Sequence, residues 1–145
     1  MKYKLVIFAD YFHFYVEDDG RYFGKVIENL WDEQSLKDMV ATRPGLIAVA
    51  TARNMSVPVT IEIEEDETIK IETSEWDHIV ERTIEISSGR IVVLGTTDFY
   101  PSATRIEVKP NIYRVTIYYS GLKTLSEDGL DGNDSYRLVF EPSSQ

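Results

Sequence analysis

The chain has 145 residues, 43 % of them hydrophobic and 28 % charged, which is enough apolar surface for one globular domain over 1–145 and rules out a disordered acidic tail. Its formal net charge is -10 and it has no cysteine. The charge opposes direct binding to nucleic acid, whose phosphates are met by Lys and Arg. The missing thiols exclude disulfides and thiolate zinc sites and fit a cytoplasmic location. No apolar run approaches the roughly 18 residues of a membrane helix, so no membrane contact is expected.

The first elements read as strands. Leu5 to Ala9 is too short for the apolar region of a signal peptide and serves better as the core of a first strand. Residues 3–17 form one or two strands, with Phe12, Phe14 and Val16 alternating against Tyr11, His13 and Tyr15. Glu17-Asp18-Asp19-Gly20 is a turn. Arg21 to Leu30 stays ambiguous, because Phe23, Val26, Ile27 and Leu30 have helical spacing while Gly24 opposes it. One helix is expected near 32–42, with Asp32 as its cap, Leu36, Met39 and Val40 as its apolar stripe, and Arg43-Pro44-Gly45 as its stop.

From Leu46 onward the pattern is that of strands. Ala48, Ala50 and Ala52 line one face of the next strand, where something must pack closely. Val57, Val59, Ile61 and Ile63 then alternate with Thr60, Glu62 and Glu64, as in an antiparallel strand with one wet face. Glu64 to Glu67 reads as a loop or hairpin end, and Ile69 and Ile71 as a short strand. Residues 79–86 and 90–94, separated by Ser87-Ser88-Gly89, read as a hairpin. Gly95 to Ser102 is a loop carrying Phe99 and Tyr100. Thr104–Lys109, Ile112–Ser120 and a last strand with Tyr136, Leu138 and Phe140 follow, and the tail from Pro142 is expected to fray. The implied fold is mainly β, an antiparallel two-sheet β-sandwich of about eight or nine strands with one short helix.

Patterns that carry chemistry are scarce. His13 and His78 are the only histidines, and neither lies in a metal-binding spacing. No serine occupies a nucleophile elbow and no glycine-rich phosphate loop is present. Asp128, Asp131, Asn133 and Asp134 crowd one loop with Gly129 and Gly132, but out of the order a calcium-binding EF-hand requires, so at most weak calcium binding is left to that loop. No catalytic residue, metal or cofactor is assigned. The acidic surface carries more weight than these: from Glu62 to Glu85 there are ten acids and only Lys70 and Arg82 to oppose them, while the strongest local prediction of structure is the 79–94 hairpin. On neighbouring strands, Glu62, Glu64, Glu81 and Glu85 would form a patch able to steer a basic protein inward. Trp76, Phe99 and Tyr100, with Trp31, are the candidate apolar anchors of such an interface, each equally suited to covering the core.

Four segments, in this order, resemble the bacterial competence protein family that inhibits the DNA-entry nuclease. They are Asp10-Tyr11-Phe12-His13-Phe14-Tyr15-Val16, Ala50-Thr51-Ala52-Arg53-Asn54, residues 79–89, and Asn111-Ile112-Tyr113-Arg114-Val115-Thr116. The resemblance implies a small β-sandwich that binds and blocks a nuclease, with no catalytic set to carry over. The Glu64–Glu75 insert and the Thr124–Asp134 loop depart from that pattern.

The first expectation is therefore a non-catalytic protein-binding domain, an inhibitor or immunity-like partner of a basic protein such as a nuclease. The alternatives are a carbohydrate- or small-ligand-binding β-sandwich that uses Trp76, Phe99 and Tyr100 as a platform, or a hydrolase with His13 or His78 near a buried carboxylate.

Overall fold

The computed structural model describes residues 1–64 and 75–143. Ten strands form two five-stranded sheets packed face to face. The first sheet contains β1 (Lys2–Phe8), β5 (Ser56–Ile63), β10 (Ser135–Pro142), β9 (Asn111–Ser120) and β6 (His78–Ile86), in that order. The second contains β3 (Val40–Arg43), β4 (Leu46–Ala50), β2 (His13–Asp18), β7 (Arg90–Gly95) and β8 (Thr104–Glu107). All pairings are antiparallel except β5 with β10, so the first sheet is mixed.

The alternating patterns place the core between the sheets. Val57, Val59, Ile61 and Ile63 of β5 are buried, as are Tyr113, Val115, Ile117 and Tyr119 of β9 and Tyr136, Leu138 and Phe140 of β10. Phe14, Val16, Ile47, Val49, Ile91, Val93 and Ile106 face them from the second sheet. Three tyrosines lie in this core because each hydroxyl reaches a partner at its margin: Tyr113 donates to the Lys109 carbonyl, Tyr119 to the Met39 carbonyl and Tyr136 to Asp134, all at 2.6 Å. The Tyr136 ring meets Phe14 of the opposite sheet edge-on at 6.2 Å and Tyr119 at 5.8 Å.

The structure corrects several local expectations. The helix α1 covers only Glu33–Asp38; Asp32 caps it with a full capping box to Ser35, but Met39 turns left-handed (φ 59°) and residues 40–43 form β3 instead of a last helical turn. Arg43-Pro44-Gly45 thus joins β3 to β4. The expected hairpin over 79–94 is not one. β6 pairs with β9 and β7 with β2 and β8, so Ser87-Ser88-Gly89 carries the chain from one sheet to the other. Asp18 holds that crossing by accepting from the Ser87 hydroxyl (2.8 Å) and the Ser88 amide (3.0 Å). Residues 3–17 also divide between sheets, with β1 in the first and β2 in the second. Gly95 of β7 lets the second sheet come up against the end of β1, since a Cβ there would overlap the Phe8 carbonyl oxygen. Pro142 closes β10 and the Ser143 amide donates to the Ile112 carbonyl (2.8 Å), so the tail is fixed at least that far. The expected 64–67 loop falls beyond Glu64, and the expected strand at Ile69 and Ile71 entirely, outside the described residues.

The ambiguous stretch 21–30 is neither helix nor strand. It lies over the outer face of the second sheet, where Leu30 packs with Ala41, Leu46 and Ala48, joined by Tyr15, Tyr22, Ile27 and Trp31. The small residues of β4 are what let this cover approach. It also encloses Glu17, which is 3 % exposed and whose Oε1 has no hydrogen-bond partner. Burial first, and the Asp19 charge second, push its carboxyl from the ordinary 4.5 up to about 7. Between those values the folded chain keeps a proton that the unfolded chain has released. The contribution of Glu17 to stability is therefore whole below pH 4.5 and falls as pH rises through 7. Glu17→Gln should remove that slope: urea unfolding should find parent and variant nearly alike at pH 4.5 and the variant ahead by about 2–3 kcal/mol at pH 8.

Candidate functional site

The charged residues of the first sheet's outer face do not form the patch expected from the sequence. β5 and β6 are not neighbours; β10 and β9 lie between them, placing Glu62 and Glu81 three strand spacings apart, about 14 Å. The intervening strands supply arginines. Glu62 is 6 % exposed and pairs with Arg137 and with Lys2 (3.7 Å). Glu81 pairs with Arg114 (3.0 Å), which also reaches Glu141 (3.6 Å), and Glu85 pairs with Arg21 (3.8 Å). Glu64 follows β5, its amide donating to the Phe140 carbonyl (2.8 Å). Glu65, Asp66, Glu67 and Glu72 of the acidic run lie outside the described residues.

The candidate aromatic side chains are also divided. Trp76 is half-buried and packs on Tyr118 of the first sheet, ring centroids 5.3 Å apart. Tyr100 belongs to the second sheet's side: its hydroxyl donates to Asp19 (3.0 Å) and accepts from the Gly20 amide (2.6 Å), Phe23 stacks on its ring at 4.7 Å, and Arg105 lies over the ring at 5.0 Å. Phe99 is 71 % exposed on the loop after β7. Trp76 therefore cannot share one platform with Phe99 and Tyr100.

The histidines are held by backbone and phenol groups. His13 contacts the Tyr11 carbonyl (3.0 Å) and the Tyr15 hydroxyl (3.2 Å), and burial lowers its pKa against the raising effect of the Tyr11 carbonyl. His78 contacts the Asp38 backbone carbonyl at 2.7 Å, not its carboxylate. Among the described residues no three His, Asp or Glu side chains are grouped to hold a metal ion.

Strand direction gathers a different set of residues at one end of the sandwich. The ends of β1, β4, β7 and β9 and the starts of β2, β5, β6 and β10 meet there, as the pairs Phe8 with Ser56, His13 with Ala50, Phe14 with Gly95, His78 with Tyr119 and Ser120 with Ser135 require. Their loops are stitched together. The Ala9 amide donates to the Met55 carbonyl (2.9 Å), Thr51 to the Phe12 carbonyl (2.9 Å), the Thr96 hydroxyl to the Asp10 carbonyl (3.1 Å) and the Leu122 amide to Asp77 (2.9 Å).

These loops carry the acids Asp10, Glu75, Asp77, Asp98, Glu127, Asp128, Asp131 and Asp134, against Arg53 and Lys123 as the described cations. Arg53 is already used, its Nε donating to the buried Asp134 at 2.5 Å. The Ser126 hydroxyl and the Leu130 amide keep the Asp128 carboxyl below its ordinary range, so it is charged at neutral pH. At the opposite end Asp19 is met by Arg90 (2.8 Å) and Arg105 (3.3 Å), and Asp18 by Arg21 (3.8 Å).

Within this acidic end the turn Asp10–Phe12 projects two aromatic rings, Tyr11 at 69 % and Phe12 at 52 % exposure. Both residues are left-handed (φ 60° and 64°), a conformation bulky side chains rarely adopt and one that the surrounding hydrogen bonds enforce. Leu130, 49 % exposed, adds an aliphatic side chain from the β9–β10 loop. The sequence pattern misread this turn, because Tyr11 and Phe12 continue the alternation of β2 as if they belonged to the strand.

No protein-family model matches the chain, and no curated protein matches it significantly in sequence. Two solved structures are similar in fold. One is ComJ from Bacillus subtilis, described as an inhibitor of the DNA-degrading activity of NucA, with TM-score 0.71 and 15 % identity over 99 % of this chain and 96 % of that one. The other is described as crocagin biosynthetic gene J, with TM-score 0.66 and 14 % identity over 99 % and 98 % of the two chains. The likeness covers the whole sandwich, as the sequence resemblance implied.

What differs among chains of one fold is the set of loops, and here the loops depend on Asp134. It is wholly buried, accepts from Arg53 and from the Tyr136 hydroxyl, and that hydroxyl accepts from the Ala52 amide (2.7 Å). Asp134→Ala strands Arg53 and Tyr136 together. It should cost about 3 kcal/mol in urea unfolding, against no more than about 0.5 kcal/mol for alanine at the exposed Asp131.

Proposed function

We propose that this chain is a non-catalytic protein-binding domain that captures a basic protein, a DNA-degrading nuclease, and blocks it by occupying its surface. The observation that carries the reading is the loop end of the sandwich, where exposed Tyr11, Phe12 and Leu130 sit among carboxylates that have few cations to meet them among the described residues. Apolar anchors inside a single-signed rim are what a tight, electrostatically steered complex uses. The fold supports the reading because it is shared with an inhibitor of a nuclease. The net charge of -10 supports it as well, because it favours a basic protein and disfavours the nucleic acid itself. A cytoplasmic location belongs to the same reading and is supported by the absence of cysteine; no helix among the described residues is long and apolar enough to cross a membrane. Of the acids first read from the sequence, Glu64, Glu81 and Glu85 add a second, weaker field on the first sheet, and Trp76 lies at the loop end, between Glu75 and Asp77. Glu62 is engaged in the fold.

Two measurements on the nuclease recovered by affinity capture test this. Reversing Glu75, Glu127 and Asp131 to lysine should slow association by about tenfold at low salt and flatten its salt dependence, and reversing Glu81 and Glu85 should do less. Equal effects would move the interface to the sheet face, and none from either set would end the electrostatic reading. Phe12→Gly should stabilise the free protein by roughly 1 kcal/mol, since glycine accepts the left-handed backbone, yet speed dissociation of the complex by about tenfold or more. A variant that binds as tightly as the parent would remove the aromatic turn from the interface.

A further inference from the structure

The outer face of the second sheet holds a pocket with a volume of about 300 Å³, whose edge meets the loop end at Gly95, Thr96 and Asp98. Its floor is Tyr15, Glu17 and Leu94 on β2 and β7. One wall is the covering segment, with Tyr22, Phe23 and Lys25, and the other is the loop after β7, with Asp98 and Tyr100. The Phe23–Tyr100 stack joins the two walls. Phe23 is 57 % exposed and stands at the rim, while Tyr15 and Tyr22 are half-buried.

Glu17 is the unexplained group in this pocket. It is 97 % removed from solvent, its Oε1 accepts no hydrogen bond, and no described cation pairs with it. A buried carboxylate is normally satisfied by several donors, as Asp134 is at the loop end and Asp18 is at the sheet crossing. Strand β2 places Glu17 opposite Leu46 and Val92, two apolar side chains that are fully buried, and Arg90, on the same face of β7, is turned to Asp19 at 2.8 Å. Its raised pKa is the electrostatic mark of the same vacancy of partners. Tyr15, Tyr22, Phe23 and Tyr100 line the pocket with it, the Tyr100 ring already carrying Phe23 at 4.7 Å and the Arg105 guanidinium at 5.0 Å. Aromatic rings beside a desolvated carboxylate are surroundings in which alkylammonium and guanidinium groups bind, because ring quadrupoles and the anion both attract a soft cation. Lys25 lines the pocket without pairing to Glu17, so it does not fill this role in the free chain.

We propose that this pocket is a binding site for a single organic cation, an alkylammonium or guanidinium head, with Glu17 as its counter-ion and Tyr15, Tyr22, Phe23 and Tyr100 as its aromatic walls. The site borders the loop end at Asp98, but it contains no residue of the aromatic turn and none of the residues substituted to test the nuclease-binding reading, so the two can be tested apart.

The test is a titration of the full chain with butylammonium, butylguanidinium and neutral butyramide, followed by the ring resonances of the four walls. In parallel, the same resonances are followed with a short acetylated, amidated peptide carrying one lysine. One of the two cations should bind in the millimolar range and shift these resonances, and butyramide should bind at least tenfold more weakly. Glu17→Gln should lose at least tenfold in cation affinity while its unfolding curve shows it folded. Phe23→Ala, at the exposed rim, should lose severalfold. Tighter binding of the peptide would identify a protein side chain as the source of the cation, and equal binding a free amine; either supports the site. Unshifted rings with every cation, equal binding of butyramide, or full affinity in the folded Glu17→Gln variant would each overturn it. Since none of these readouts involves the nuclease, they are separable from the fate of the proposed function.

Discussion

Asp134 has no exposed surface, and its charge has to be met where three parts of the chain converge: the start of β10, the loop between β4 and β5, and the core itself through Tyr136. An isolated carboxylate there would be too costly to fold around, so the position of Arg53 is dictated as firmly as that of any core side chain. Because the Tyr136 ring also packs on Phe14 of the opposite sheet, the same residue that satisfies the anion fixes the spacing of the two layers. The loop end inherits its rigidity from this arrangement. Burial, and next the hydrogen bond to Asp134, raise the Tyr136 phenol above its ordinary range, so its proton is retained wherever the fold survives.

The sandwich was legible because period-two alternation is written plainly into β5, β9 and β10: Val57 to Ile63, Tyr113 to Tyr119 and Tyr136 to Phe140 all turn inward as their spacing requires. Partners were less legible. Alternation reports which face of a strand is apolar and says nothing of which strand lies beside it, so β6 and β7 looked like a hairpin although Asp18, from a distant strand, directs their turn across the sheets. α1 ended early because Met39 takes a left-handed conformation that no glycine or asparagine announces. The parallel pairing of β5 with β10 joins segments more than seventy residues apart and leaves no local trace.

The same limits governed the candidate site. Acids consecutive in sequence, from Glu62 to Glu85, drew attention, yet β9 and β10 interleave Arg114 and Arg137 between their strands. The carboxylates that do cluster come from positions 10, 75–77, 98 and 127–134, brought together by the strand ends alone. Glu17 was hidden for a related reason: it followed a strand pattern into what read as a turn, and only the irregular cover of residues 21–31 buries it. In both cases the electrostatics follow from which segments the topology superimposes, a tertiary property that a single chain read in order does not display.

The placement of the last strand has a consequence for how the molecule is made. β10 is the middle of its sheet, flanked by β5 and β9, and provides Tyr136, Leu138 and Phe140 to the core. During synthesis β1 and β5 can pair early, and β6 with β9 later. The two halves have no common neighbour until residues 135–142 have left the ribosome. Until then each exposes an unpaired strand edge and an apolar face, the state in which nascent β-proteins aggregate or recruit chaperones. Closure of the sandwich thus waits for residues 135–142, and the acidic character of the chain keeps the waiting halves of different copies apart.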